Sequence, residues 1–515
     1  MKRAIKPFLA ALCTLSLTGN ALAQTVVQTD LGKVRGVDAD GISLFKGIPY
    51  AMPPVGDLRW RPTRAAKLWK GVRDARDFGP ICPQPTRPGK ADDPQSEDCL
   101  TVNVATPDAK GAKLPVIVVM HGGAFFVGSN REVLEGGVPS IVRRGVVLVA
   151  PNYRLGRLGF FAHPALTAEA RGQATGNFWL MDEIAALQWV KRNIAKFGGD
   201  PSNVTIMGCS AGGSSINSLV ASPEARGLFA KASVHSGGGL FNATRPLKKA
   251  EEQGLAFAGR VGVPSANAAG LARLRALPVD SILAGDPGAP DHGAIIDGRL
   301  LPAAIPILYN QGKVARVPMI IGSTSNEASI FGLMGFDRAK LEQRFGIDVE
   351  ALKGAYQADG PIGEAEMLRQ VQTDFIFTSA AMATAAMAAR GAPIWSYHFD
   401  YVDTAQRGSL PGASHCADWP YLFGGARFGA VQSPSVEDRT MAAMMQAYLY
   451  DFVTKGDPNG RGLPEWPRTA PGTIDPLVIG TRTRAIPNFR QQQLQPWFAK
   501  WEKENGMALG MGKGQ

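Results

Sequence analysis

The chain contains short apolar runs separated by polar and turn-forming segments, and such runs predict buried strands. The runs are Val116–Met120, Val146–Ala150, Val204–Met207, Pro318–Ile321 and Ile394–Phe399. Between the second and third runs, apolar residues recur at steps of three and four from Leu180 to Phe197, which predicts an amphipathic helix. Strands that alternate with helices favour an α/β fold, with a mostly parallel central sheet and helices on both faces.

Two segments, about 247–283 and about 338–387, have helical patterns without intervening strands. We expect them to be helical insertions that form a cap beside the sheet, within one domain spanning 24–515. Outside the N-terminus, the longest uncharged apolar run is Leu114–Met120. A membrane-spanning helix needs about 20 apolar residues. The pattern therefore excludes a multi-pass transporter and predicts no stable membrane insertion.

The first residues have the pattern of an export signal. The chain starts with basic residues at positions 2, 3 and 6, and an apolar stretch then runs from Phe8 to Leu17. Ala21-Leu22-Ala23 offers a small-residue cleavage site before Gln24. We predict that 1–23 is a signal peptide and that the mature protein is exported, to the periplasm or as a secreted protein.

The net charge bears on the partners of the protein, and the cysteine content bears on its disulfides. The full chain of 515 residues has 55 Lys and Arg against 44 Asp and Glu, a net charge of +11, which falls to +8 when the three basic residues of the signal are removed. The remaining basic residues are scattered rather than clustered, so we expect no nucleic-acid partner. Removing the signal also leaves four of the five cysteines. An even number in an exported chain favours disulfides.

Ser210 is the candidate nucleophile. It lies in Gly208-Cys209-Ser210-Ala211-Gly212, which matches the Gly-x-Ser-x-Gly pattern. The pattern alone is weakly specific in a chain with 60 glycines, but here it follows a predicted strand and precedes a predicted helix. Strand, turn and helix in this order form a nucleophile elbow. Its small residues permit the strained backbone that projects the serine hydroxyl out of the sheet.

A serine hydroxyl needs a base, and the chain has six histidines. The expected chain order of serine, acid, histidine leaves His235, His292, His398 and His415 after Ser210. A structural histidine is the alternative for each of them, and His398 fits it because it lies inside an apolar run. His415 lies in a loop-like segment, where functional residues concentrate.

A glycine-containing loop, His121-Gly122-Gly123-Ala124-Phe125, follows the first predicted strand. Glycines directly after a strand let backbone N–H groups approach a ligand oxygen closely. Together with the N–H of Ala211, they supply the donors that an oxyanion hole needs. Removing one such donor typically costs about 3 kcal/mol of transition-state stabilisation. An ordinary tight turn is the alternative.

Several longer motifs resemble those of the type-B carboxylesterase family, which includes bacterial aryl esterases, liver carboxylesterases and cholinesterases. They are Phe45–Ala51 (FKGIPYA), Glu97–Leu100 (EDCL), Asn152–Gly156 (NYRLG), Phe197–Pro201 (FGGDP), Ile296–Gly298 (IDG) and Gly456–Asn459 (GDPN). They occur in the family's order and span nearly all of the mature chain. The resemblance implies an α/β-hydrolase fold and a carboxylesterase with a Ser–Glu–His triad, which requires no metal or organic cofactor.

The resemblance also implies roles for individual residues. Ser210 is expected to be the nucleophile, and His415 the general base and acid. Glu327 follows a predicted strand, as the family's acid does, and is expected to orient and stabilise His415. For Glu327 taken by itself, a solvated loop carboxylate is the alternative, but the preceding strand and the chain order favour the triad role.

The family's oxyanion donors correspond to Gly123 and Ala124, with Ala211 as the third donor. Ala124 replaces the glycine that is usual at this position. The added methyl group is expected to reduce the space for bulky alcohols.

Cys209 and Cys416 stand where the family usually has glutamate before the serine and glycine after the histidine. If Ser210 and His415 are in contact, these neighbours must also be close. A disulfide needs Cα atoms about 4.4–6.8 Å apart. The pair is similar to the cysteine pair beside the triad of tannases and fungal feruloyl esterases. We predict a Cys209–Cys416 disulfide, with two buried free thiols as the alternative.

Two other pairs follow from the resemblance. Cys82 and Cys99 are similar to the family's short N-terminal disulfide loop, so we expect a second disulfide there. Arg154 and Asp182 stand where the family has a buried ion pair. We interpret both charged residues as structural, although their charges would also suit a role in substrate binding.

Aromatic residues flank these motifs. We expect Phe125, Trp179 and Phe331 to line a substrate pocket, with core packing as the alternative. Trp179 stands where the family commonly has glycine, which should narrow the pocket. A pocket with aromatic walls suits aryl, cinnamoyl or long-chain esters. The net positive charge of the chain also suits a carboxylated ester.

We therefore expect an exported serine carboxylic-ester hydrolase that acts on small-molecule apolar, aryl or carboxylated esters. Two alternatives stay open. One is hydrolysis of amides, carbamates or lactones by the same machinery. The other is a non-catalytic binding module, because the family includes inert members, which typically lack a triad residue. The sequence does not indicate an oligomeric state.

Overall fold

The computed structural model describes residues 24–86, 93–107, 112–135, 138–239, 243–286, 288, 292–330, 337–358, 360–423 and 434–511. The predicted signal peptide and Phe331, one of the three expected pocket residues, lie outside the described residues.

A large mixed sheet organises the chain. The strands are β1 (Val26–Gln28), β2 (Lys33–Arg35), β3 (Val37–Ala39), β4 (Ile42–Pro49), β5 (Val72–Asp74), β6 (Thr101–Thr106), β7 (Leu114–Met120), β8 (Val147–Pro151), β9 (Gly199–Cys209), β10 (Lys231–His235), β11 (Thr244–Pro246), β12 (Ala294–Ile296), β13 (Met319–Thr324), β14 (Ile394–Phe399), β15 (Leu477–Ile479) and β16 (Arg484–Ala485). Eleven of them form one sheet in the order β16-β15-β14-β13-β10-β9-β7-β8-β6-β4-β3. The seven strands from β15 to β8 are parallel to one another, and antiparallel strands complete both edges.

Helices connect the strands and cover the sheet. They are α1 (Ser140–Arg143), α2 (Gly156–Gly159), α3 (Pro164–Ala170), α4 (Phe178–Asn193), α5 (Ala211–Ala221), α6 (Leu247–Arg260), α7 (Ala268–Arg275), α8 (Val279–Gly285), α9 (Ile305–Asn310), α10 (Arg338–Phe345), α11 (Lys353–Tyr356), α12 (Glu364–Thr373), α13 (Ser379–Ala388), α14 (Trp419–Phe423), α15 (Val436–Lys455) and α16 (Gln491–Asn505). Short 3₁₀ turns lie at Gly56–Leu58, Ile194–Phe197, Pro223–Ala225 and Glu327–Ile330, and a π turn at Asp374–Thr378. Helices α6 to α8 and α10 to α13 occupy the two segments with helical patterns.

Alternate side chains of a central strand are buried on opposite faces of the sheet, as β7 shows. In β7, Val116, Val118 and Met120 belong to the core cluster that includes side chains of α4 and α5. Ile117 and Val119 belong to a second cluster, which includes side chains of α15. Because successive side chains of a strand point to opposite faces, a strand covered on both faces must be apolar at every position. This explains why the strands appear in the sequence as continuous apolar runs.

Arg154 and Asp182 form the expected ion pair in the core. Asp182 is completely buried, and its Oδ2 lies 2.7 Å from Nε of Arg154. The same carboxylate accepts the backbone N–H of Arg154 and the hydroxyl of Thr63. These contacts join the strand-end segment after β8 to α4, so both residues are structural.

Glu183, the next residue in α4, is a buried carboxyl that forms no ion pair among the described residues. It is completely buried, and the neighbouring group that favours its charged form is the hydroxyl of Ser215 in α5. Burial, and to a lesser extent the negative charge of Asp182, outweigh this hydroxyl and raise the pKa of Glu183 well above its usual value. The neutral acid is therefore the form that the folded protein favours.

We expect Glu183→Gln to flatten the pH dependence of stability. A carboxyl whose pKa is higher in the folded than in the unfolded state contributes stability that is complete below the unfolded pKa, about 4.3, and is lost as the pH rises toward the folded pKa. Each unit of that pKa difference corresponds to about 1.4 kcal/mol. Urea unfolding between pH 5 and 9 measures this loss, which glutamine removes because it does not ionise. Parallel pH profiles for the wild type and Glu183→Gln would contradict the expectation, and exposed Glu224→Gln serves as the matched control.

Candidate active site

Ser210 lies at the sharp turn between β9 and α5. Its backbone has φ 59° and ψ −125°, a conformation that non-glycine residues rarely adopt. The Ser210 N–H donates a hydrogen bond to the carbonyl of His235, the last residue of β10. The strained conformation is thus held by a bond to the neighbouring strand, as expected for a nucleophile elbow.

The glycines of the elbow are required by close backbone contacts. A Cβ on Gly208 would lie 2.4 Å from the carbonyl carbon of Gly212. A Cβ on Gly212 would lie 2.2 Å from the carbonyl oxygen of Met120, the last residue of β7. Larger residues at either position would push α5 away from the sheet and displace Ser210.

The loop after β7 lies against the elbow. A Cβ built on Gly122 would be 3.0 Å from the Cys209 carbonyl oxygen and 3.6 Å from the Ser210 Cβ. The next two residues, Gly123 and Ala124, have φ values of 107° and 54°. This left-handed backbone turns the loop beside Ser210, and Ala124 is exposed there.

Glu327 and His415 are in direct contact. Glu327 follows β13 and is completely buried, and its Oε2 contacts Nδ1 of His415. Its Oε1 accepts the backbone N–H of Thr324 at 2.7 Å. Phe377 packs against the His415 ring with the centroids 4.7 Å apart. The carboxylate is therefore fixed by the backbone at one oxygen and contacts the imidazole with the other.

Backbone hydrogen bonds hold the loop that carries His415 against the loop after β13. The N–H of Asn326 donates to the carbonyl of Ala413 at 2.8 Å, and the N–H of His415 donates to the hydroxyl of Ser329 at 2.9 Å. His415 Nε2 is buried and forms no hydrogen bond within the described part of the chain. Hydrogen bonds between a base and a nucleophile are often long in the free enzyme and shorten when the substrate binds.

A disulfide joins the elbow to the histidine loop. Cys209 and Cys416 are bonded, with their Cα atoms 6.2 Å apart. One cysteine precedes Ser210 and the other follows His415, so the bond limits how far these two residues can separate. A second disulfide joins Cys82 to Cys99, with the Cα atoms 5.0 Å apart. Both predicted bonds are thus present.

The expectation that Trp179 lines a pocket is wrong. Its side chain is completely buried, because Phe125 and Phe160 pack against its ring with centroids 4.9 and 5.1 Å away. Phe125 is half-buried and lies between this layer and the surface. Trp179 therefore supports Phe125 from behind and is not accessible to a ligand.

Other histidines that follow Ser210 have structural surroundings. His398 is buried in β14, where burial lowers its pKa to about 3. Nε2 of His292 lies 2.9 Å from both oxygens of Asp286. His235 bonds to Asp418 at 2.6 Å. Asp418 lies three residues after His415 and belongs to none of the sequence motifs that point to the site.

A cavity of about 410 Å³ borders His415 and Cys416. Two tyrosines, Tyr401 and Tyr421, and the partly exposed Leu410 contribute to its wall. Ser210 and the glycine loop are not among the residues that line this cavity, so it lies beside the candidate site and does not contain the nucleophile.

The comparison with known proteins decides the family. The model of the carboxylesterase family matches residues 23–497, most of the chain. The chain belongs to this family. The carboxylesterase is therefore an ester-hydrolysing enzyme, and the family expected from the sequence motifs is confirmed.

Curated relatives and solved structures agree with this assignment. The para-nitrobenzyl esterase of Bacillus subtilis (strain 168) is 32% identical over 89% of this chain and 95% of its own length. The fumonisin B1 esterase of Sphingopyxis macrogoltabida is 33% identical over 86% of this chain and 84% of its own length. A solved structure of a PNB esterase superposes with a TM-score of 0.79 and 30% identity, over 92% of this chain and all of that one. The carboxylesterase thus has the predicted α/β-hydrolase fold. None of its described helices has the length and apolar character needed to cross a membrane.

Proposed function

We propose that this carboxylesterase is an exported serine hydrolase that cleaves small-molecule esters with Ser210, His415 and Glu327 as its triad. The proposal depends most on the contact between the buried Glu327 carboxylate and Nδ1 of His415, on a loop that a disulfide ties to the residue before Ser210. A carboxylate at Nδ1 selects the tautomer whose Nε2 can accept a proton. The unsatisfied Nε2 of His415 is the atom that this role requires.

The reaction has two stages. Ser210 Oγ attacks the ester carbonyl while His415 Nε2 takes the hydroxyl proton, and backbone N–H groups of Gly123, Ala124 and Ala211 stabilise the oxyanion. His415 then gives the proton to the alcohol oxygen, the C–O bond breaks, and the acyl group remains on Ser210. Water attacks this acyl group, His415 accepts the water proton and returns it to Ser210, and the acid leaves.

The contacts of the glycine loop support its role as the oxyanion hole. A Cβ added to Gly122 would lie only 3.6 Å from the Ser210 Cβ, so the loop backbone closely approaches the nucleophile. The left-handed backbone at Gly123 and Ala124 is also typical of a loop that turns its amides toward a bound anion. Ala211 contributes the N–H at the start of α5, where the helix dipole favours negative charge.

The expected substrates are apolar, aryl or carboxylated esters. The half-buried ring of Phe125, the residue after Ala124 in the glycine loop, would suit an apolar or aromatic group. Relatives named as esterases of para-nitrobenzyl groups and of fumonisin B1 support ester substrates of this kind. The net charge of +8 without residues 1–23 favours the approach of an anionic ester.

We also propose that 1–23 is removed on export and that 24–515 forms one domain, with its helical insertions as a cap. Two disulfides support an oxidising compartment, such as the periplasm or the extracellular medium, because they are rare in reducing ones.

A panel of chromogenic esters, with matching amides, carbamates and lactones, tests the proposal. We expect kcat/KM for aryl esters to exceed that for the matching amides, because aryloxide is a better leaving group than the amine of an amide. Ser210→Ala is the control, since it removes the nucleophile. Faster turnover of amides, carbamates or lactones would favour the alternative hydrolase activity. Ester binding without turnover by the wild type would favour a binding module.

A further inference from the structure

Four buried polar side chains form a cluster beneath the elbow. His235 Nδ1 lies 2.6 Å from Oδ2 of Asp418, and His235 Nε2 lies 2.7 Å from the hydroxyl of Ser233. The hydroxyl of Tyr397 donates to the same Asp418 oxygen at 2.6 Å. Asp418 and Ser233 are completely buried, and His235 is 3% exposed.

The cluster has the connectivity of a Ser–His–Asp triad but not its accessibility. Ser233 lies in the middle of β10, between β9 and β13, and its hydroxyl cannot reach a substrate. A nucleophile must be exposed to the ester carbonyl, and oxyanion donors must lie beside it. The cluster is therefore not a second catalytic site.

The position of the cluster relates it to the candidate active site. His235 pairs with Cys209 across the parallel strands β9 and β10, and its carbonyl accepts the N–H of Ser210. Asp418 lies two residues after Cys416, and the N–H of Trp419 donates to the Cys416 carbonyl at 3.0 Å. The His235–Asp418 pair thus connects the end of β10, which is hydrogen-bonded to the elbow, to the same loop that the Cys209–Cys416 disulfide joins to the end of β9.

The contacts favour a charged Asp418. Burial alone would raise its pKa, but the interaction with His235 and the hydrogen bonds from His235 and Tyr397 outweigh burial and lower it. A buried carboxylate needs such partners, because an unpaired buried charge is strongly unfavourable. Loss of the histidine would therefore expel or neutralise Asp418 and loosen the segment that carries His415.

We propose that His235 and Asp418 are positioning residues that hold the elbow and the histidine loop together in parallel with the disulfide. The proposal rests on the proposed function for the roles of Ser210 and His415. Two links that hold one loop against two adjacent, hydrogen-bonded strand ends are coupled, because each raises the effective concentration at which the other forms. The pair should hold the two thiols of the reduced protein close together, and so favour their oxidation.

A redox titration tests this coupling without any ester. The folded enzyme is equilibrated in glutathione buffers, where two glutathione molecules reduce the disulfide to a dithiol and yield one glutathione disulfide. Free thiols are alkylated, and mass spectrometry measures the oxidised fraction of each cysteine pair. We expect His235→Gln and Asp418→Asn to lower the equilibrium constant for forming Cys209–Cys416 roughly tenfold, the coupling typical of residues in one network.

Internal and matched controls separate coupling from general loosening. The Cys82–Cys99 equilibrium should stay unchanged in both variants. His398→Gln replaces another buried strand histidine, one that does not bond to the histidine loop, and should leave both equilibria unchanged. Tyr397→Phe removes the hydroxyl that donates to Asp418 and lies 2.7 Å from His235 Nδ1, but it leaves the His235–Asp418 contact in place, and should shift Cys209–Cys416 in the same direction by less. This mildest variant keeps the test decisive if the other two fold poorly. An unchanged Cys209–Cys416 equilibrium, or equal shifts of both disulfides, would overturn the proposal.

Kinetics supply a second readout. In a Cys209→Ser, Cys416→Ser background, His235→Gln should reduce kcat by a larger factor than it does with the disulfide intact, while KM stays nearly constant. Equal factors in the two backgrounds would show that the links act independently and would also overturn the proposal. If Ser210→Ala keeps its activity while the redox shift is observed, the proposed function fails and the structural coupling stands.

Discussion

Ser210→Ala should lower kcat for ester hydrolysis by about 10⁶-fold, the loss seen when a serine hydrolase loses its nucleophile. The reason is chemical: no other hydroxyl is held at the strained turn between β9 and α5, where the side chain projects from the sheet. Activity on a chromogenic aryl ester is the measurement. The variant should fold normally, because alanine removes only the hydroxyl and keeps the Cβ.

Covalent labelling gives a second measurement for Ser210. A fluorophosphonate reagent should phosphonylate Ser210 in the wild type and leave Ser210→Ala unlabelled. Ser218→Ala is the matched control: it removes a buried hydroxyl from α5 that bonds to the carbonyl of Ser214, and should keep both activity and labelling. Labelling at another serine, with activity retained in Ser210→Ala, would mean that the nucleophile lies elsewhere.

Glu327→Gln should lower kcat by about 10⁴-fold, as loss of the charge does in a comparable triad. The carboxylate contacts Nδ1 of His415 and also accepts the N–H of Thr324, so its position is fixed. An amide can present an N–H to Nδ1, which selects the tautomer whose Nε2 cannot accept the serine proton. Steady-state kinetics with an aryl ester measures the effect, and KM should change little.

Glu183→Gln is the matched control for Glu327→Gln. It makes the same chemical change at another completely buried carboxyl, in α4. Activity near neutral pH should be retained, because Glu183 has no contact with Ser210, His415 or Glu327 in the described hydrogen bonds. A loss of less than about tenfold in Glu327→Gln would contradict its role in orienting His415, since such a loss lies far below that of a triad acid.

Strands and helices with a clear pattern of apolar residues were predictable from the sequence. The run Ile394–Phe399 coincides with β14, and the helix expected from Leu180 onward is α4 with the 3₁₀ turn that follows it. β9 was harder, because it begins at Gly199, five residues before its apolar run. Gly199 pairs with Leu114 of β7, and the regular register resumes only at Val204, so a hydrophobic pattern does not reveal this irregular start.

In the candidate site, too, residues in local motifs were predictable and residues outside motifs were not. The elbow and the glycine loop are local motifs, so spacing and neighbouring elements identified them. Cys209 and Cys416 could be paired because each adjoins a residue already assigned to the site. His235 and Asp418 are 183 positions apart and belong to no motif, so nothing in the sequence linked them.

Trp179 shows why exposure could not be predicted from residue type. An aromatic residue near a motif can either face a ligand or support the residue that does. Phe125 and Phe160 pack onto the Trp179 ring, and the side chain is buried against α2 and the segment after β8. Trp179 therefore supports Phe125 and does not face a ligand. Glu183 is a similar case, because a helical pattern does not distinguish a buried carboxyl from an exposed one when the helix is covered on most sides.

The order of the amino acids alone determined the α/β class, the family and the residues that chemistry would select, because these depend on periodicity and on local motifs. The tertiary structure decided which distant side chains meet: Glu327 with His415, Cys209 with Cys416, and His235 with Asp418. It also decided which side chains are withdrawn from solvent. Both depend on strand order and on helix packing, which bring together residues that are 88 to 207 positions apart in the chain.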